Sequence, residues 1–586
     1  MASSIEHVRH TLAHLMAAAV KELYEKDGAQ VYLAIGPAID DGFYYDMDFG
    51  GDKKPAIEDL KDIEKRMRKI LPSWKNFSHR EVSVDEAKSW AGENVYKHEL
   101  IDEIISKGEK ITFYKVGNFE DLCRGGHVEN PSEEIAPDSF KLSRVAGAYW
   151  RGDEKNTMLT RIYGLAFASK KELEEYLAME EEAKKRDHKK LGKELGLFVV
   201  SDLVGKGLPM YLPKGNIIRT ELERFIRDEK EKLGYSFVTI PHIAKKELYI
   251  KSGHMGKYGA MMPIMKDENG EEFVMKAMNC PHHFEIYNAE PHSYRDLPLR
   301  LAENTTVYRN EKSGELSGLL RVKNLTQDDT HHFIRPDQIE SEIKMILGLM
   351  QKTYALFGFN NYKVEVSTRD PKNKEKYFGG DDVWQKAEKI LVDEVKKWGV
   401  PYSVEEGEAA FYGPKIDIKV KDSLGREWQL TTIQLDFNQP ENFEMDYTGE
   451  DGRRHRVVVL HVAIFGSFER FMGILIEHYA GNFPLWLSPV QVKIAPVKES
   501  NFAKAEEIGA HLKKSGIRVD TDLSDVNFGK KIREAKDMKI PYTIIIGDKD
   551  MEKGVVTLES RDKGKIGEKT LEEATTLLTK EIKDKK

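Results

Sequence analysis

The sequence predicts an α+β protein of several domains, and three observations lead to this class. The chain has 586 residues, which at roughly 150 residues per domain corresponds to about four domains. Between residues 198 and 486, helix-type and strand-type patterns are intermixed without a regular βαβ repeat. From 487 to 586 the two patterns alternate, which is typical of a small α/β domain.

Composition excludes several classes of protein. Hydrophobic residues make up 40% of the chain and charged residues 32%, above the usual charged share of about 25%, so a disordered tail and a collagen are excluded. No stretch approaches the roughly 18 apolar residues of a membrane-spanning helix, and the first twenty residues lack a secretory core. Two cysteines suit a reducing compartment. We therefore expect a cytoplasmic protein without a membrane partner.

Charge gives a weaker restriction on the partners of this protein. The net charge of −8 argues against a protein that coats DNA, because binding to phosphates requires a basic surface. Local basic patches remain possible, since 91 Lys and Arg residues accompany 99 Asp and Glu residues.

Residues 1–169 are predicted to form a first domain of mixed helices and strands. It opens with an amphipathic helix, Ile5–Lys26, whose apolar residues recur at the helical period. The remaining patterns indicate an α+β unit, with strands at Val31–Ile35, Gly42–Met47, Ile111–Val116 and Met158–Tyr163 and helices at Ile57–Leu71 and Asp85–Ala91.

Residues 170–197 are predicted to form a single charged linker helix. Leu173, Tyr176 and Leu177 are apolar positions in its first part, and the segment that follows is dominated by charge. The charges change from acidic to basic between residues 180 and 190, which complements the helix dipole. This pattern is typical of a solvated connecting helix.

Residues 198–486 are predicted to form the largest domain. The motifs GxGxxG and GxxxxGK[ST] are both absent, so a Rossmann or P-loop nucleotide site is disfavoured. Long helices are predicted at Asn216–Leu233, Asp337–Leu356 and Val383–Trp398, and strands at Ser236–Ile240, Glu272–Met275, Thr305–Tyr308, Lys363–Val366, Asp417–Val420 and Trp428–Phe437.

Residues 487–586 are predicted to form a small α/β domain with parallel-type crossovers. Its elements are expected at Val490–Ile494, Ala503–Ser515, Arg518–Thr521, Gly529–Met538, Tyr542–Ile546, Val555–Glu559 and Leu571–Lys585.

Histidines and a cysteine form two closely spaced pairs in the first domain. His10 and His14 are four residues apart on the first helix, so both imidazoles project from one face. Cys123 precedes His127 by four residues. Together the pairs offer three imidazoles and a thiol that could hold a metal or activate water. The alternative is that each histidine is an ordinary hydrogen-bonded residue, which is the commoner case for a lone histidine.

The large domain carries a second cysteine and two arginine motifs. Cys280 follows a strand, but no local spacing links it to a histidine, and a buried cysteine is most often a small apolar residue. Arg309 ends a strand in Val307–Glu311, and Arg470 opens a helix in Gly466–Arg470. Guanidinium groups bind phosphate oxygens bidentately, so these arginines suit a nucleotide, although structural salt bridges are the alternative.

These motifs, taken in order, resemble those of the threonyl-tRNA synthetases, and the resemblance extends from about residue 5 to the end. Pro241, Arg309 with Glu311, and Gly466–Arg470 are similar to the three motifs of class II synthetases. Six further stretches are similar to the threonyl family: 146–153, Arg186–Gly192, Met278–Pro281, Thr326–His331, Phe411–Lys415 and Leu460–Ser467.

The resemblance implies a class II antiparallel sheet flanked by helices, an N-terminal editing domain and a C-terminal anticodon-binding domain. The family often has a ubiquitin-like domain in front of the editing domain, and we expect this domain to be missing here. It also implies a homodimer that attaches L-threonine to tRNA(Thr) with ATP and hydrolyses mischarged seryl-tRNA.

The resemblance further implies one Zn²⁺ per subunit and Mg²⁺ with ATP. Cys280, His331 and His461 correspond to the zinc ligands. An open position on the ion would accept the hydroxyl of threonine, which valine lacks. The threonine site would be lined by Asp329, Gln327, Tyr412, Thr432 and Gln434.

Positions for ATP and for the reaction follow from the same comparison. Arg309 would bind the α-phosphate, Arg470 the γ-phosphate, and Glu311 the adenine side. Arg321 and Gln429 also match the ATP site, and Lys415 is expected to join Arg309 and Arg470 as a catalytic residue.

The editing site implied by the resemblance comprises His10, His14, Lys97, Asp121, Cys123 and His127, which are expected to position water. Arg533 and Lys539 are expected to contact the anticodon. Several flanking positions depart from the family pattern, without removing an expected ligand: Gly126, His282, Leu430, Thr431, Asp525 and Glu559.

Two alternatives to this function remain open from the sequence. Another class II synthetase of the prolyl or seryl type would share the arginine motifs, but not the Cys280, His331 and His461 set. A regulatory RNA-binding relative that has lost catalysis would have lost Arg309, Arg470 or a zinc ligand, and this chain retains them.

Overall fold

The computed structural model describes residues 4–26, 28–51, 53–422 and 425–586. The chain divides into two compact units, Met1–Glu181 and Glu182–Lys586. Each unit has its own buried apolar clusters. The second unit contains two large clusters, one around the central sheet and one in the C-terminal region. The predicted mixture of helices and sheets in a multidomain chain is confirmed.

The first unit combines a five-stranded sheet with a three-stranded one. The first sheet has the order β1-β3-β8-β7, with β2 paired to β3, and the second has the order β4-β5-β6. The strands are β1 Tyr32–Leu33, β2 Ala38–Ile39, β3 Gly42–Asp48, β4 Ser78–Glu81, β5 Thr112–Val116, β6 Phe119–Leu122, β7 Phe140–Tyr149 and β8 Met158–Ala166. The helices are α1 Ile5–Tyr24, α2 Leu60–Ile70, α3 Val84–Ala91, α4 Val95–Ser106 and α5 Pro131–Glu134, and α6 Lys170–Arg186 crosses the boundary between the units.

Helix α1 positions the first pair of histidines. Ser4 caps its N-terminus by accepting a hydrogen bond from the backbone N–H of His7 at 3.3 Å. Its predicted apolar residues, including Leu12, Leu15 and Met16, are fully buried. Because this face is fixed in the core, His10 and His14 are held at a defined side of the helix.

The second unit is built on an eight-stranded, mainly antiparallel sheet of order β11-β15-β16-β23-β20-β19-β17-β18. Its strands are β11 Ser236–Phe237, β15 Leu299–Tyr308, β16 Asn324–Ile334, β17 Tyr362–Thr368, β18 Tyr402–Glu406, β19 Lys415–Lys421, β20 Glu427–Asp436 and β23 Val458–Ala463. Smaller strands are β9 Phe198–Val199, β10 Met210–Tyr211, β12 Ile243–Lys245, β13 Met265–Lys266, β14 Glu272–Met275, β21 Asp446–Thr448 and β22 Arg454–Arg456. The helices are α7 His188–Glu194, α8 Pro213–Lys232, α9 Lys246–Lys251, α10 His254–Lys257, α11 Cys280–Asn288, α12 Ile339–Phe357, α13 Asp381–Trp398, α14 Asn438–Asn442 and α15 Phe468–His478.

The central strands have different side chains on their two faces. In β23, Val458, Leu460 and Val462 enter the main apolar cluster, whereas His461 faces the opposite side, because strand residues alternate between faces. His331 of β16 is directly opposite His461 in the antiparallel register, and Gln434 of β20 is opposite His461 on the other side. The register thus places three polar side chains in one row across the sheet.

A buried ion pair joins helix α8 to this sheet. Lys230 Nζ lies 3.0 Å from Asp328 Oδ2, and both side chains are buried. Asp328 also accepts hydrogen bonds from the backbone N–H groups of Ile464 and Phe465 at 2.9 Å. These contacts fix β16 to the segment that precedes α15, so two parts of the site are held in one arrangement.

The C-terminal region of the second unit is a five-stranded mixed sheet with helices. Its order is β25-β24-β26-β27-β28, and the pairs of β24 with β25 and β26 are parallel, as the predicted crossovers require. The elements are β24 Val492–Pro496, α16 Phe502–Lys514, β25 Val519–Thr521, α17 Phe528–Asp537, β26 Tyr542–Ile546, α18 Asp548–Lys553, β27 Val556–Ser560, β28 Gly564–Lys569 and α19 Leu571–Lys583.

Several elements that carry site residues were not predicted from the sequence, among them α4, which carries Lys97, and α11, which begins at Cys280. Two further differences concern α7 and β16. The segment 170–197 is not one solvated helix. Helix α6 ends at Arg186, Asp187 caps a second helix, α7, and the side chains of Leu191 and Leu195 are buried in the main apolar cluster. Strand β16 was not predicted, although it supplies Gln327, Asp329 and His331 to the site. Its polar residues hide the apolar alternation by which strands are identified.

Candidate active sites

One face of the central sheet lines a cavity of about 680 Å³ in the second unit. Lacking only Lys415 of the residues expected to act in catalysis, the cavity brings together all of the residues expected to bind threonine, ATP or zinc. These are Cys280, Arg309, Glu311, Arg321, Gln327, Asp329, His331, Tyr412, Gln429, Thr432, Gln434, His461 and Arg470.

A cysteine and two histidines form a buried cluster on the floor of this cavity. One potential ligand atom from each of Cys280, His331 and His461 lies within 4.8 Å of the others. His331 Nδ1 is 2.8 Å from His283 Nδ1, and His461 Nε2 is 2.9 Å from Asp436 Oδ2. Each imidazole therefore has one nitrogen engaged by a partner, which is the usual arrangement around a metal-binding histidine.

The donor chemistry of the cluster fits a soft or borderline dication. Burial raises the pKa of the Cys280 thiol and lowers the pKa of His331, so the protein alone favours a neutral thiol and a neutral imidazole. A cation would favour the thiolate, and the neutral imidazole is already the form that binds metals. One sulfur and two nitrogens leave one position free on a tetrahedral ion such as Zn²⁺.

Polar groups surround this cluster at the bottom of the cavity. Asn279 Nδ2 donates to Asp329 Oδ2 at 2.8 Å, and burial raises the pKa of Asp329. The Tyr412 hydroxyl donates to Gln434 Oε1 at 2.5 Å. These groups offer both donors and acceptors to a small zwitterionic ligand.

Arginines occupy the upper part of the cavity. The Arg309 Nε atom is buried and has no hydrogen-bond partner among the described residues, so this guanidinium has donor capacity to spare for an anion. Arg470 donates through Nε to the Leu320 carbonyl at 3.1 Å and through Nη1 to the Gln429 carbonyl at 3.0 Å. Burial, together with Arg309 and Arg321, lowers the pKa of Arg470 to about 10, so it stays charged at pH 7.

Glu311 and Arg321 face each other in the same cavity. Arg321 Nη2 lies 2.9 Å from Glu311 Oε2 and 2.7 Å from Glu315 Oε2. This pairing fixes the orientation of Glu311 beside the loop that carries Arg321.

Lys415 is the one expected residue that does not line the cavity. Its ammonium group is paired with the Asp417 carboxylate and lies 3.2 Å from Ser367 Oγ. Asp417 in turn accepts a hydrogen bond from Thr432 Oγ1 at 3.1 Å. The Lys415 side chain is therefore linked to the cavity through Asp417, while its backbone pairs with the cavity residue Gln434.

The cavity also includes residues to which the sequence analysis gave no individual role, namely Tyr258, Met278, Asn279, Glu408 and Ser467. Ser467 had a detectable signal, since it precedes a helix and caps α15 by accepting from the Arg470 N–H at 3.2 Å. Met278 and Asn279 lie within a stretch assigned by resemblance. For Tyr258 and Glu408 no spacing pattern exists that would have identified them.

A second cavity, of about 660 Å³, lies in the first unit. Its lining contains five of the six residues expected for editing: His10, His14, Lys97, Asp121 and Cys123. The sixth, His127, stacks on His10 with ring centroids 4.3 Å apart, and its Nε2 is 3.3 Å from Cys123 Sγ. The two pairs noted in the sequence thus form one cluster, with potential ligand atoms within 4.8 Å of one another.

The electrostatics of this cluster favour neutral groups. Burial lowers the pKa values of His10, His14 and His127 and raises the pKa of Cys123 to about 12. The imidazoles can therefore accept protons or hydrogen bonds from water, while the thiol is not a ready nucleophile.

A buried ion pair completes the second cavity. Lys97 Nζ lies 2.5 Å from Asp121 Oδ1, and both side chains are buried. The hydroxyl of Tyr45, a residue not expected from the sequence, donates to the other oxygen of Asp121. Because the ammonium and carboxylate groups neutralise each other, the pair adds no net charge beside the histidine cluster.

The two residues expected to contact an anticodon lie in the C-terminal region. Arg533 is exposed on α17. Lys539 follows the end of that helix with φ of +57°, and its carbonyl accepts from Arg561 Nη1 at 2.7 Å. The structure does not bring these two residues into either cavity.

Among the described residues, no helix combines the length and the apolar character needed to cross a lipid bilayer.

Three family models match this chain. Residues 264–479 match the tRNA synthetase class II core domain (G, H, P, S and T), and residues 491–581 match an anticodon binding domain. Residues 111–163 match the threonyl and alanyl tRNA synthetase second additional domain.

Similar proteins and a solved structure agree with these matches. The threonine--tRNA ligase of Thermus thermophilus is 48% identical over 571 residues, which cover 95% of this chain and 86% of that protein. The corresponding enzyme of Deinococcus radiodurans is 49% identical, with 94% and 85% covered. A crystal structure described as the RNA binding domain of threonyl-tRNA synthetase from Cryptosporidium parvum is 35% identical, with a TM-score of 0.64 and 67% of this chain and 98% of that chain covered. Together with the class II core, the editing-type domain and the anticodon-type domain, these similarities mean that the chain belongs to the threonyl-tRNA synthetase family.

Proposed function

We propose that this protein attaches L-threonine to tRNA(Thr) with ATP and hydrolyses seryl-tRNA formed in error. The observation that carries the proposal is the cavity in which a Cys-His-His cluster lies beside two arginines. The first test is aminoacylation with threonine and with serine, combined with an ATP–pyrophosphate exchange panel. Exchange with proline or serine instead of threonine would contradict the assignment.

The first reaction is the attack of the threonine carboxylate on the α-phosphorus of ATP. A bond forms between a carboxylate oxygen and the α-phosphorus, the bond from this phosphorus to the bridging oxygen breaks, and pyrophosphate leaves. No protein nucleophile is required, so orientation and charge neutralisation supply the catalysis. A ribose hydroxyl of the tRNA then attacks the adenylate carbonyl and releases AMP.

The arginines would neutralise the charge that develops on the phosphates. Arg309, with its free buried Nε donor, would bind the α-phosphate, and Arg470 the γ-phosphate. Glu311 would lie on the adenine side, with Arg321 and Gln429 nearby. The pairing of Lys415 with Asp417 supports an indirect role for Lys415, through Thr432, rather than contact with ATP.

Cys280, His331 and His461 would hold one Zn²⁺ per chain. Bound there, zinc would supply a Lewis acid toward the amino and hydroxyl groups of threonine, and it would have no affinity for the methyl group that valine carries in place of the hydroxyl. The protein's own groups would complete the recognition. Asp329 would accept from the ligand's amino group, and the remaining lining would come from Gln327, Tyr412, Thr432 and Gln434.

Serine requires a separate correction because it carries the same hydroxyl. The missing methyl group is worth only about 1–3 kcal/mol of discrimination, which is too little for accurate translation. We propose that the cluster of the first unit performs this correction by hydrolysis. His10, His14 and His127 would orient water against the ester, and Lys97 with Asp121 would bind the amino acid, while Cys123 stays a neutral thiol.

The editing assignment predicts that a His10→Ala/His14→Ala double variant charges threonine at the normal rate but accumulates seryl-tRNA. The reason is that the threonine site is in another unit and rejects serine only weakly. Deacylation of pre-formed seryl-tRNA(Thr) measures the effect directly. Deacylation at the wild-type rate would contradict the assignment. Loss of both activities and of thermal stability would mean that the histidines only pack the helix.

Assembly and location are also part of the proposal. Residues 199–212 expose six large apolar side chains, including the fully exposed Leu203, and such a patch is typical of an interaction surface. We expect this patch to be covered in a homodimer, so light scattering should give twice the chain mass of 67.1 kDa. A monomer at micromolar concentration would contradict this.

Both cysteines are free thiols, which supports a cytoplasmic location that cell fractionation can check.

The domain organisation is proposed as 1–169 for editing, 170–197 for the linker, 198–486 for catalysis and 487–586 for anticodon binding. The division after Glu181 and the matches at 264–479 and 491–581 support this arrangement. Arg533 and Lys539 are proposed to contact the anticodon. Limited proteolysis tests the boundaries, and footprinting of bound tRNA tests the contacts.

A further inference from the structure

The segment Arg186–Gly192 is one of the stretches by which this chain resembles its family, yet none of its residues lines either cavity. The structure gives the segment a defined geometry. Asp187 ends the preceding helix and caps α7, since its Oδ1 accepts from the N–H groups of Lys189 and Lys190 at 2.8 and 3.1 Å. His188, the first residue of α7, is thereby directed into the protein and is only 1% exposed.

The two ring nitrogens of His188 have different partners. Nδ1 lies 2.8 Å from Glu477 Oε1, and Nε2 lies 3.1 Å from the backbone nitrogen of Leu319. A backbone N–H can only donate, so Nε2 accepts and the ring proton is on Nδ1, which donates to Glu477. His188 therefore connects helix α15, which carries Glu477, to the loop that carries Leu319.

This loop leads directly to the arginines of the cavity. The carbonyl of Leu320, the next residue after Leu319, accepts from Arg470 Nε at 3.1 Å. Arg321 follows and is held by Glu311. One residue, Leu320, thus separates the N–H bound by His188 from Arg321 and supplies the carbonyl that orients Arg470.

The loop approaches the imidazole closely. Gly318 has φ of +50°, and a Cβ atom at this position would lie 2.1 Å from His188 Nε2. Only glycine fits both the backbone conformation and the available space. The position of the loop is therefore defined by the ring of His188 as well as by its own hydrogen bonds.

We propose that His188 is a positioning residue for the ATP site. By accepting the Leu319 N–H, its Nε2 atom holds the loop Gly318–Arg321 where Leu320 can orient Arg470 and where Arg321 faces the nucleotide. The residue does not touch ATP. This inference rests on the proposed function and extends it to a residue of the linker segment.

Two conservative variants separate the two contacts. The amide oxygen of glutamine reaches the position of Nε2, so His188→Gln can still accept from Leu319. The amide of asparagine reaches only the position of Nδ1, so His188→Asn can donate to Glu477 but leaves the buried Leu319 N–H unsatisfied. We expect His188→Asn to raise the KM for ATP in pyrophosphate exchange by about tenfold, with the KM for threonine changed less than about twofold. His188→Gln should stay within about twofold of the wild type for both.

A control variant separates positioning from general destabilisation. Leu191→Ala lies on the same helix and removes a buried apolar side chain, but it leaves the hydrogen bonds of His188 to Leu319 and Glu477 in place, so it should lower the melting temperature without changing the KM for ATP. The proposal is wrong if His188→Asn and His188→Gln have the same KM for ATP, or if Leu191→Ala raises it as much as His188→Asn. Absence of threonine-dependent exchange in the wild type would reject the proposed function instead. Calorimetric titration of each full-length variant with ATP would then still compare their affinities.

Discussion

Replacing Cys280 with serine is expected to lower zinc occupancy and to reduce threonine-dependent pyrophosphate exchange by about 100-fold or more. Losing even an outer partner of a metal ligand costs about 10–100-fold in affinity or activity, and Cys280 is proposed as a direct ligand. Its side chain is 3% exposed at the start of α11. The hydroxyl of serine fits the same space, so the fold should be retained. Metal analysis of the purified protein and the exchange assay measure the two effects.

The other cysteine of the chain provides the matched control. Cys123→Ser makes the same chemical change in the first unit, and it should leave zinc content and threonine activation unchanged. Deacylation of seryl-tRNA by Cys280→Ser should in turn match the wild type. Full threonine activation by protein that is free of zinc would rule out the role proposed for Cys280, His331 and His461.

Arg309→Lys is expected to lower pyrophosphate exchange by about 100-fold, although the positive charge is retained. The guanidinium group binds two phosphate oxygens through a planar fork, whereas an ammonium group is a single point of charge. Loss of one preorganised donor to a developing charge typically costs about 10²–10³ in rate. The buried Nε of Arg309, which has no partner among the described residues, is one of the donors that lysine cannot replace.

A second substitution at the same position separates charge from geometry. Arg309→Met removes both, so it should be slower than Arg309→Lys, and the KM for threonine should change little in either variant. If Arg309→Lys exchanges pyrophosphate at the wild-type rate, the fork geometry is unimportant and the arginine contributes charge alone.

Local sequence patterns predicted many of the helices and strands and one of the two clusters. The spacing of His10 with His14 and of Cys123 with His127 indicated two pairs on short segments, and the structure brings them within 4.8 Å. The apolar period of α1 was sufficient to predict the buried face that holds two of these residues. The class II fold and the threonine function are confirmed by the family matches and the relatives. The role of each individual residue stays a prediction.

The second cluster could not be derived from spacing. Cys280 comes from α11, His331 from β16 and His461 from β23, and only the pairing of distant strands brings them together. Resemblance to the family supplied what local patterns could not. Strand β16 itself was missed because polar residues occupy both of its faces, including Asp328, which pairs with Lys230 on the helix side. Functional sites break local rules in this way because the site requires groups that a strand would otherwise avoid.

The start of a second helix at Asp187 could have been predicted from the sequence. Asp is a preferred N-cap residue, and the apolar residues Leu191 and Leu195 follow it at helical spacing. The length of the charged run favoured a single helix instead. As a result, the sequence analysis gave no role to His188, the first residue of α7.

The direct opposition of His331, His461 and Gln434 across three strands determines which changes in chain length the protein can tolerate. Side chains alternate between the two faces of a strand. Removal of one residue from β23 before His461 would therefore point the imidazole toward the apolar cluster, and a valine or leucine side chain would face the cavity instead. No compensating substitution at a single position restores the row. Insertions and deletions are therefore expected to accumulate in connections such as the turn 449–453. The strands β16, β20 and β23 should keep a fixed length even where their sequences diverge.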